Sequence, residues 1–150
     1  MYKRILIPVD GSGASNRGLR EALRIARGGR VQLCLLHVVE EFFIGEAGES
    51  LVFAEDVFTA LRASGKRTLA RAEALVRKAG LRPRSVLVET MARPVADLVV
   101  REARKWKADL IVIGTHGRRG VRRVVMGSDA EQVVRTSPVP VLLVRAKSRA

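Results

Sequence analysis

A cluster of glycines and one serine near the end of the chain has the residue types and spacing to hold an anion. The run Gly114-Thr115-His116-Gly117 is followed by nine residues, Arg118 to Met126, and then by Gly127-Ser128. Gly114 and Gly117 lack the Cβ that would keep a ligand off the backbone N–H groups. Gly127-Ser128 opens a predicted helix, whose first N–H groups and positive dipole end favour phosphate. Arg118, Arg119, Arg122 and Arg123 add positive charge to the intervening span. The same residues have a plain structural use. Ser128-Asp129-Ala130-Glu131 fits a capping box, with Ser128 capping the helix and Glu131 bonding back. Glycine spacing between a strand and a helix does not by itself decide between a cradle and a turn.

Other chemistries lack their residues. The phosphate loop G-x-x-x-x-G-K-[ST] of many ATP hydrolases is absent. A phospho-accepting receiver domain needs an acidic pair after its first strand, an aspartate after its third and a lysine after its fifth. The chain offers only Asp10, then Glu89-Thr90, then Val144-Arg145. The two histidines, His37 and His116, have no acidic partner at ligand spacing, so a zinc site is not expected. His37 reads as a satisfied side chain near a sheet edge. Cys34 is the single cysteine and lies in the apolar run Val31 to Val39, which excludes an internal disulfide and predicts a buried, inert thiol.

The elements that would position the glycine cluster follow from hydrophobic periodicity. Short apolar runs at Arg4–Val9, Val31–Val39, Ser85–Glu89, Asp109–Ile113 and Val139–Arg145 read as buried strands. Between them, helical spacing predicts helices from Ser15 to Arg27, Val52 to Ala79, Pro94 to Lys107 and Ser128 to Thr136. Leu61, Thr68, Ala72, Leu75 and Ala79 are the expected inner face of the second. Gly65 is expected to weaken that helix, by about 1 kcal/mol relative to alanine. Pro94 is expected in the first turn of the third. The glutamate-rich stretch from Glu40 to Ser50 reads as a long loop, a candidate mobile lid, and Ala146 to Ala150 as a frayed tail.

Regular alternation predicts an α/β fold: one domain over residues 1–150, with a doubly wound, five-stranded parallel sheet and helices on both faces. Ligands on such sheets bind beyond the carboxyl ends of the strands, where strand order reverses. Asp10-Gly11-Ser12 and Gly114 to Gly117 both lie at that edge.

Composition sets outer limits. Hydrophobic residues make up 47% and charged residues 29%, in the range of a packed globular chain. Aromatics, at 4%, leave the core to aliphatic side chains. A formal net charge of +13 favours polyanionic ligands. The basic runs lack base-stacking aromatics, so nucleic acid is the weaker reading of that charge. No run approaches the roughly 18 apolar residues of a membrane span. The short apolar start resembles no signal peptide, and a cytoplasmic location is expected.

From end to end, outside the Glu40 to Ser50 loop, the chain resembles the universal stress protein family. The matching segments are Ile5 to Ser12, His37-Val38, Pro94 with its helix, Ala108 to Gly117, Gly127-Ser128 and Pro138 to Val144. Its G-x-x-G, nine, G-S pattern is that of the ATP-binding members. The resemblance implies a Rossmann-like fold and ATP as ligand, with Mg²⁺ carried by the phosphates. It implies that Pro8 lines the adenine, that the Val38 backbone reads its edge and that Asp10 accepts from the ribose hydroxyls. Gly114 would approach the ribose. Gly117, Arg118, Gly127 and Ser128 would surround the phosphates, with the amides of Asp129 and Ala130. Two positions depart from the family pattern. Ala130 has no hydroxyl for the terminal phosphate, and Asp129 puts a carboxylate where an apolar residue is common. Weaker binding, or tolerance of ADP or AMP, would follow.

The function so implied is a nucleotide-dependent regulatory module in the stress response. Slow ATP hydrolysis and nucleic-acid binding are the alternatives; no obvious water-activating base stands out, with Asp10 and Glu89 at strand ends the candidates. Bulky residues at Gly114 or Gly117 are then expected to abolish ATP binding and leave the fold intact. The resemblance also implies a homodimer across the edge strand 139–144, with Pro138 and Pro140 as competing guards against pairing.

Overall fold

The computed structural model describes residues 1–41, 51–115 and 126–145. Aliphatic runs form β1 (Arg4–Pro8), β2 (Gln32–Glu40), β3 (Arg84–Thr90), β4 (Leu110–Gly114) and β5 (Val141–Val144). They alternate with α1 (Gly13–Ala26), α2 (Leu51–Lys78), α3 (Val95–Trp106) and α4 (Ser128–Thr136). All strand pairs are parallel, in the order β3-β2-β1-β4-β5. This is the expected α/β, doubly wound five-stranded sheet.

The order has a direct consequence. The chain winds from β1 out to β3, then returns to place β4 on the other side of β1. Strand order therefore reverses between β1 and β4, and a crevice is expected beyond their carboxyl ends. β3 and β5 are the two sheet edges.

Two aliphatic cores flank the sheet. On one face Leu19, Ala22 and Ala26 of α1 and Leu69, Ala72 and Val76 of α2 cover Ile5, Ile7, Leu33 and Leu35. On the other, Ala96, Val99 and Ala103 of α3 and Ala130 and Val133 of α4 cover Leu6, Leu36, Ile111 and Ile113. The strands are apolar on both sides because both sides are covered.

Several local expectations need correction. α1 begins at Gly13, ahead of Ser15, because Ser12 is its N-cap and accepts from the Ser15 N–H at 3.1 Å. Pro94 stands at the N-cap of α3, outside its first turn, and its carbonyl accepts from Asp97 N–H at 3.1 Å. On α2, Thr68 and Ala72 are buried and Leu61 half-buried as expected, but Leu75 is 38% exposed and Ala79 lies at the surface, while Leu69 and Val76 turn inward. β5 starts at Val141, so Pro138 and Pro140 precede it. The Pro140 carbonyl still accepts from Ile111 N–H at 3.0 Å. The 40–50 loop, apart from Glu40 and Glu41, and the 146–150 tail lie outside the described residues.

Candidate functional site

The carboxyl end of β1 is a tightly built turn. Gly11 takes φ of 80°, a left-handed value that suits glycine. It lets Asp10 Oδ1 accept from the Ser12 N–H at 2.8 Å, while the Asp10 N–H donates to Ser15 Oγ at 3.1 Å. Asp10 is half-buried, and the Ser12 N–H orients its carboxylate. Just behind it, His37 Nδ1 lies 2.7 Å from the Val9 carbonyl. A carbonyl only accepts, so that nitrogen carries the proton. This is the satisfied histidine that the sequence suggested.

β4 ends against α1. A Cβ on Gly114 would lie 2.5 Å from the Ala14 carbonyl carbon and 2.8 Å from Ser15 N. Glycine is therefore required here by helix packing, whatever ligand may approach. The expectation that a bulky residue at Gly114 would leave the fold intact is corrected on that ground.

One residue on, the Thr115 N–H donates to the Val144 carbonyl at 3.0 Å, and the Thr115 carbonyl accepts from Gly127 N–H at 2.6 Å. That second bond fixes the start of α4 to the carboxyl end of β4, beside the strand-order reversal. Gly127 is the N-cap of α4, with extended backbone and no side-chain cap. The ladder begins with Glu131 N–H donating to the Gly127 carbonyl at 3.0 Å.

The expected capping box is not formed. Ser128 is the first helical residue, not the cap, and Glu131 pairs forward with Arg135 at 2.8 Å instead of reaching back. As N-cap, Gly127 has no side chain with which to bond the first backbone N–H groups of the helix. Ser128 and Asp129 are exposed and Ala130 is buried.

Pro8, Asp10, Gly114, Gly127, Ser128, Asp129 and Ala130 therefore gather at one edge of the sheet, through β1, β4 and the start of α4. Val38 lies near the end of β2, opposite Val88 of β3 and packed on the α3–α4 face. His116, Gly117 and Arg118 lie outside the described residues.

An ion cluster at the ends of β2 and β3 was not legible in the sequence. Arg62 of α2 donates to Glu89 Oε1 at 2.6 Å and to Glu41 Oε1 at 3.2 Å. The hydrogen bond from Arg62 is the largest influence on the Glu89 carboxyl and holds it below the usual range. A carboxylate stabilised in its ionised form is a weaker base, which counts against Glu89 as a proton acceptor. Only its place at a strand end marked Glu89; its partner is 27 residues away. Gly65, expected to weaken α2, also has a packing reason to be glycine. A Cβ there would come 2.7 Å from His37 Cδ2, so it is where α2 lies against β2.

Burial, with Glu102 nearby, pushes the Cys34 thiol up to about 11, so it is protonated and unreactive at neutral pH. Among the described residues no three His, Cys, Asp or Glu side chains group as a metal site. No helix among them is long and apolar enough to cross a membrane.

Comparison with known proteins matches this architecture. The family model described as "Universal stress protein family" matches residues 1–145. A universal stress protein of Methanocaldococcus jannaschii is 32% identical over 97% of this chain and 83% of its own. The solved structure of universal stress protein UspA from Lactobacillus plantarum superposes with a TM-score of 0.82 at 25% identity, covering 96% of this chain and 98% of that one. A universal stress protein of Archaeoglobus fulgidus, solved in complex with dAMP, gives 0.67 at 28% identity, covering 95% and 98%.

Proposed function

The chain belongs to the universal stress protein family, and from that premise we propose that it binds ATP at the carboxyl edge of β1 and β4, as a nucleotide-dependent regulatory module of the cytoplasmic stress response. The observation that carries this reading is the start of α4. Its N-cap is a glycine, and the Gly127–Thr115 hydrogen bond holds it at the end of β4, where strand order reverses. Helix N–H groups at such a point attract phosphate. The dAMP bound by the Archaeoglobus fulgidus relative supports adenine as the base.

In this reading Pro8 and the Val38 backbone take the adenine, and Asp10 with Gly114 takes the ribose. Gly117, Arg118, Gly127, Ser128 and the amides of Asp129 and Ala130 take the phosphates. The turn that fixes Asp10 Oδ1 on Ser12 supports its part, since an oriented acceptor loses little entropy on binding. Mg²⁺ would be held chiefly by phosphate oxygens. Glu89, paired with Arg62, is poorly suited to activate water, which leaves Asp10 as the strand-end base for any slow hydrolysis.

A homodimer across β5 belongs to the same reading. β5 is a sheet edge with half-buried aliphatic side chains, and Pro138 and Pro140 lie outside it, where they do not interrupt its ladder. Mass spectrometry of small molecules released from the purified protein tests the ligand. An adenine nucleotide is expected; a protein that is empty and also fails to take up added ATP with Mg²⁺ would contradict the proposal.

A further inference from the structure

The last turns of α1 and α2 meet at the amino edge of the sheet, the end opposite the proposed nucleotide site. A groove of about 650 Å³ opens between them. Leu23 and Leu81 give it an aliphatic floor, and Arg20, Arg24, Arg27 and Lys78 rim it. All four cations are exposed.

Arg20, Arg24 and Arg27 are spaced at i, i+4 and i+7, so they share one helix face and repel one another. Among the described residues only Arg24 has an acidic partner, Glu21 at 3.1 Å. Helix dipoles account for Arg24 and Lys78, which sit in last turns, but not for Arg20. The groove thus joins uncompensated positive charge to an apolar floor.

We infer that this groove docks an acidic amphipathic segment of a partner protein, with aliphatic side chains on Leu23 and Leu81 and carboxylates on the rim. Charge complementarity sets the sign of the partner. The floor sets its second requirement, since a purely acidic chain would leave it uncovered. No aromatic side chain lines the groove, so nucleobases have nothing to stack on and a protein segment is the better fit. The groove lies away from the strand carboxyl edge, so nucleotide and partner can be held together.

Fluorescence anisotropy on the intact protein tests this with a labelled synthetic peptide carrying Glu and Leu on opposite faces of a helix. Oligoglutamate and single-stranded DNA of equal charge serve as comparators. The Arg20→Glu/Arg27→Glu variant is expected to weaken peptide binding by about tenfold or more. Arg101→Glu/Arg104→Glu makes the same charge change on α3, across the sheet, and is expected to weaken it by less than about threefold. Oligoglutamate should bind more weakly than the peptide. Circular dichroism melts confirm that both variants fold, which their exposed positions favour. The inference is overturned if the peptide does not bind, if both variants lose affinity equally, if oligoglutamate binds as tightly, or if DNA binds more tightly and depends on the same arginines.

Discussion

Gly114, the last residue of β4, lies so close to Ala14 in the first turn of α1 that a Cβ on it would sit 2.5 Å from the Ala14 carbonyl carbon and 2.7 Å from its oxygen. Both neighbours are backbone atoms, so relief requires α1 to move off the sheet. Gly114→Ala is expected to cost about 1–3 kcal/mol of stability, or more, as overpacking does. Gly13→Ala, with nothing within 4 Å of its added Cβ, should change stability little. Urea unfolding of the two variants checks the contrast.

Ser128 separates a cap from a phosphate ligand. An N-cap serine replaced by alanine costs about 1 kcal/mol. Ser128 instead stands inside the helix, after the N-cap Gly127. Ser128→Ala should therefore leave stability within about 0.5 kcal/mol of wild type. It should weaken ATP binding roughly tenfold, the loss of a hydrogen bond to a charged group. Urea midpoints and nucleotide titration on the same variant read the two effects.

Gly65→Ala poses a conflict of sign. Helix propensity alone favours alanine by about 1 kcal/mol. The added methyl would meet His37 Cδ2 at 2.7 Å and Leu87 Cδ1 at 3.1 Å. The His37 ring cannot simply withdraw, because its Nδ1 is held 2.7 Å from the Val9 carbonyl. A net loss of about 1 kcal/mol is expected. In a His37→Ala background the same substitution should become neutral or stabilising, and a double-mutant cycle measures the difference.

The Arg62–Glu89 pair makes stability depend on pH. Arg62 lowers the folded-state pKa of Glu89, so the contribution is present above the unfolded glutamate value, about 4.3. It is lost as pH falls through the lower folded value. Glu89→Gln should therefore be slightly less stable than wild type at pH 7 and converge on it in strong acid. Both carboxyl and guanidinium are substantially exposed, so the difference should be small and shrink in high salt. Arg62→Ala should be the more damaging change, because it also strips the partner from the nearly buried Glu41.

The order of elements and the reversal of strand order between β1 and β4 were legible because five aliphatic runs alternate cleanly with helical spacing. The gathering of Asp10, Gly114 and Ser128 at one edge follows from that order alone. What escaped the sequence depends on contacts between distant segments. Gly114 reads as a ligand-approach glycine until Ala14 is seen against it. Ser128 reads as a cap until the Gly127–Thr115 hydrogen bond sets the helix start one residue earlier. The inner face of α2 is legible at Thr68 and Ala72 but not at its end, where Leu75 and Ala79 lie outward and Val76 inward. Gly65 lies close against His37, a contact that local spacing does not encode.

The central claim is that the edge formed by β1, β4 and the start of α4 holds an adenine nucleotide. Calorimetric titration of nucleotide-free protein with ATP and Mg²⁺, repeated on Asp10→Ala, tests it most directly. Saturable binding near one ATP per chain is expected, weakened about tenfold or more in the variant, as loss of a charged hydrogen-bond acceptor requires. Absence of binding, or an affinity that Asp10→Ala leaves unchanged, would contradict it.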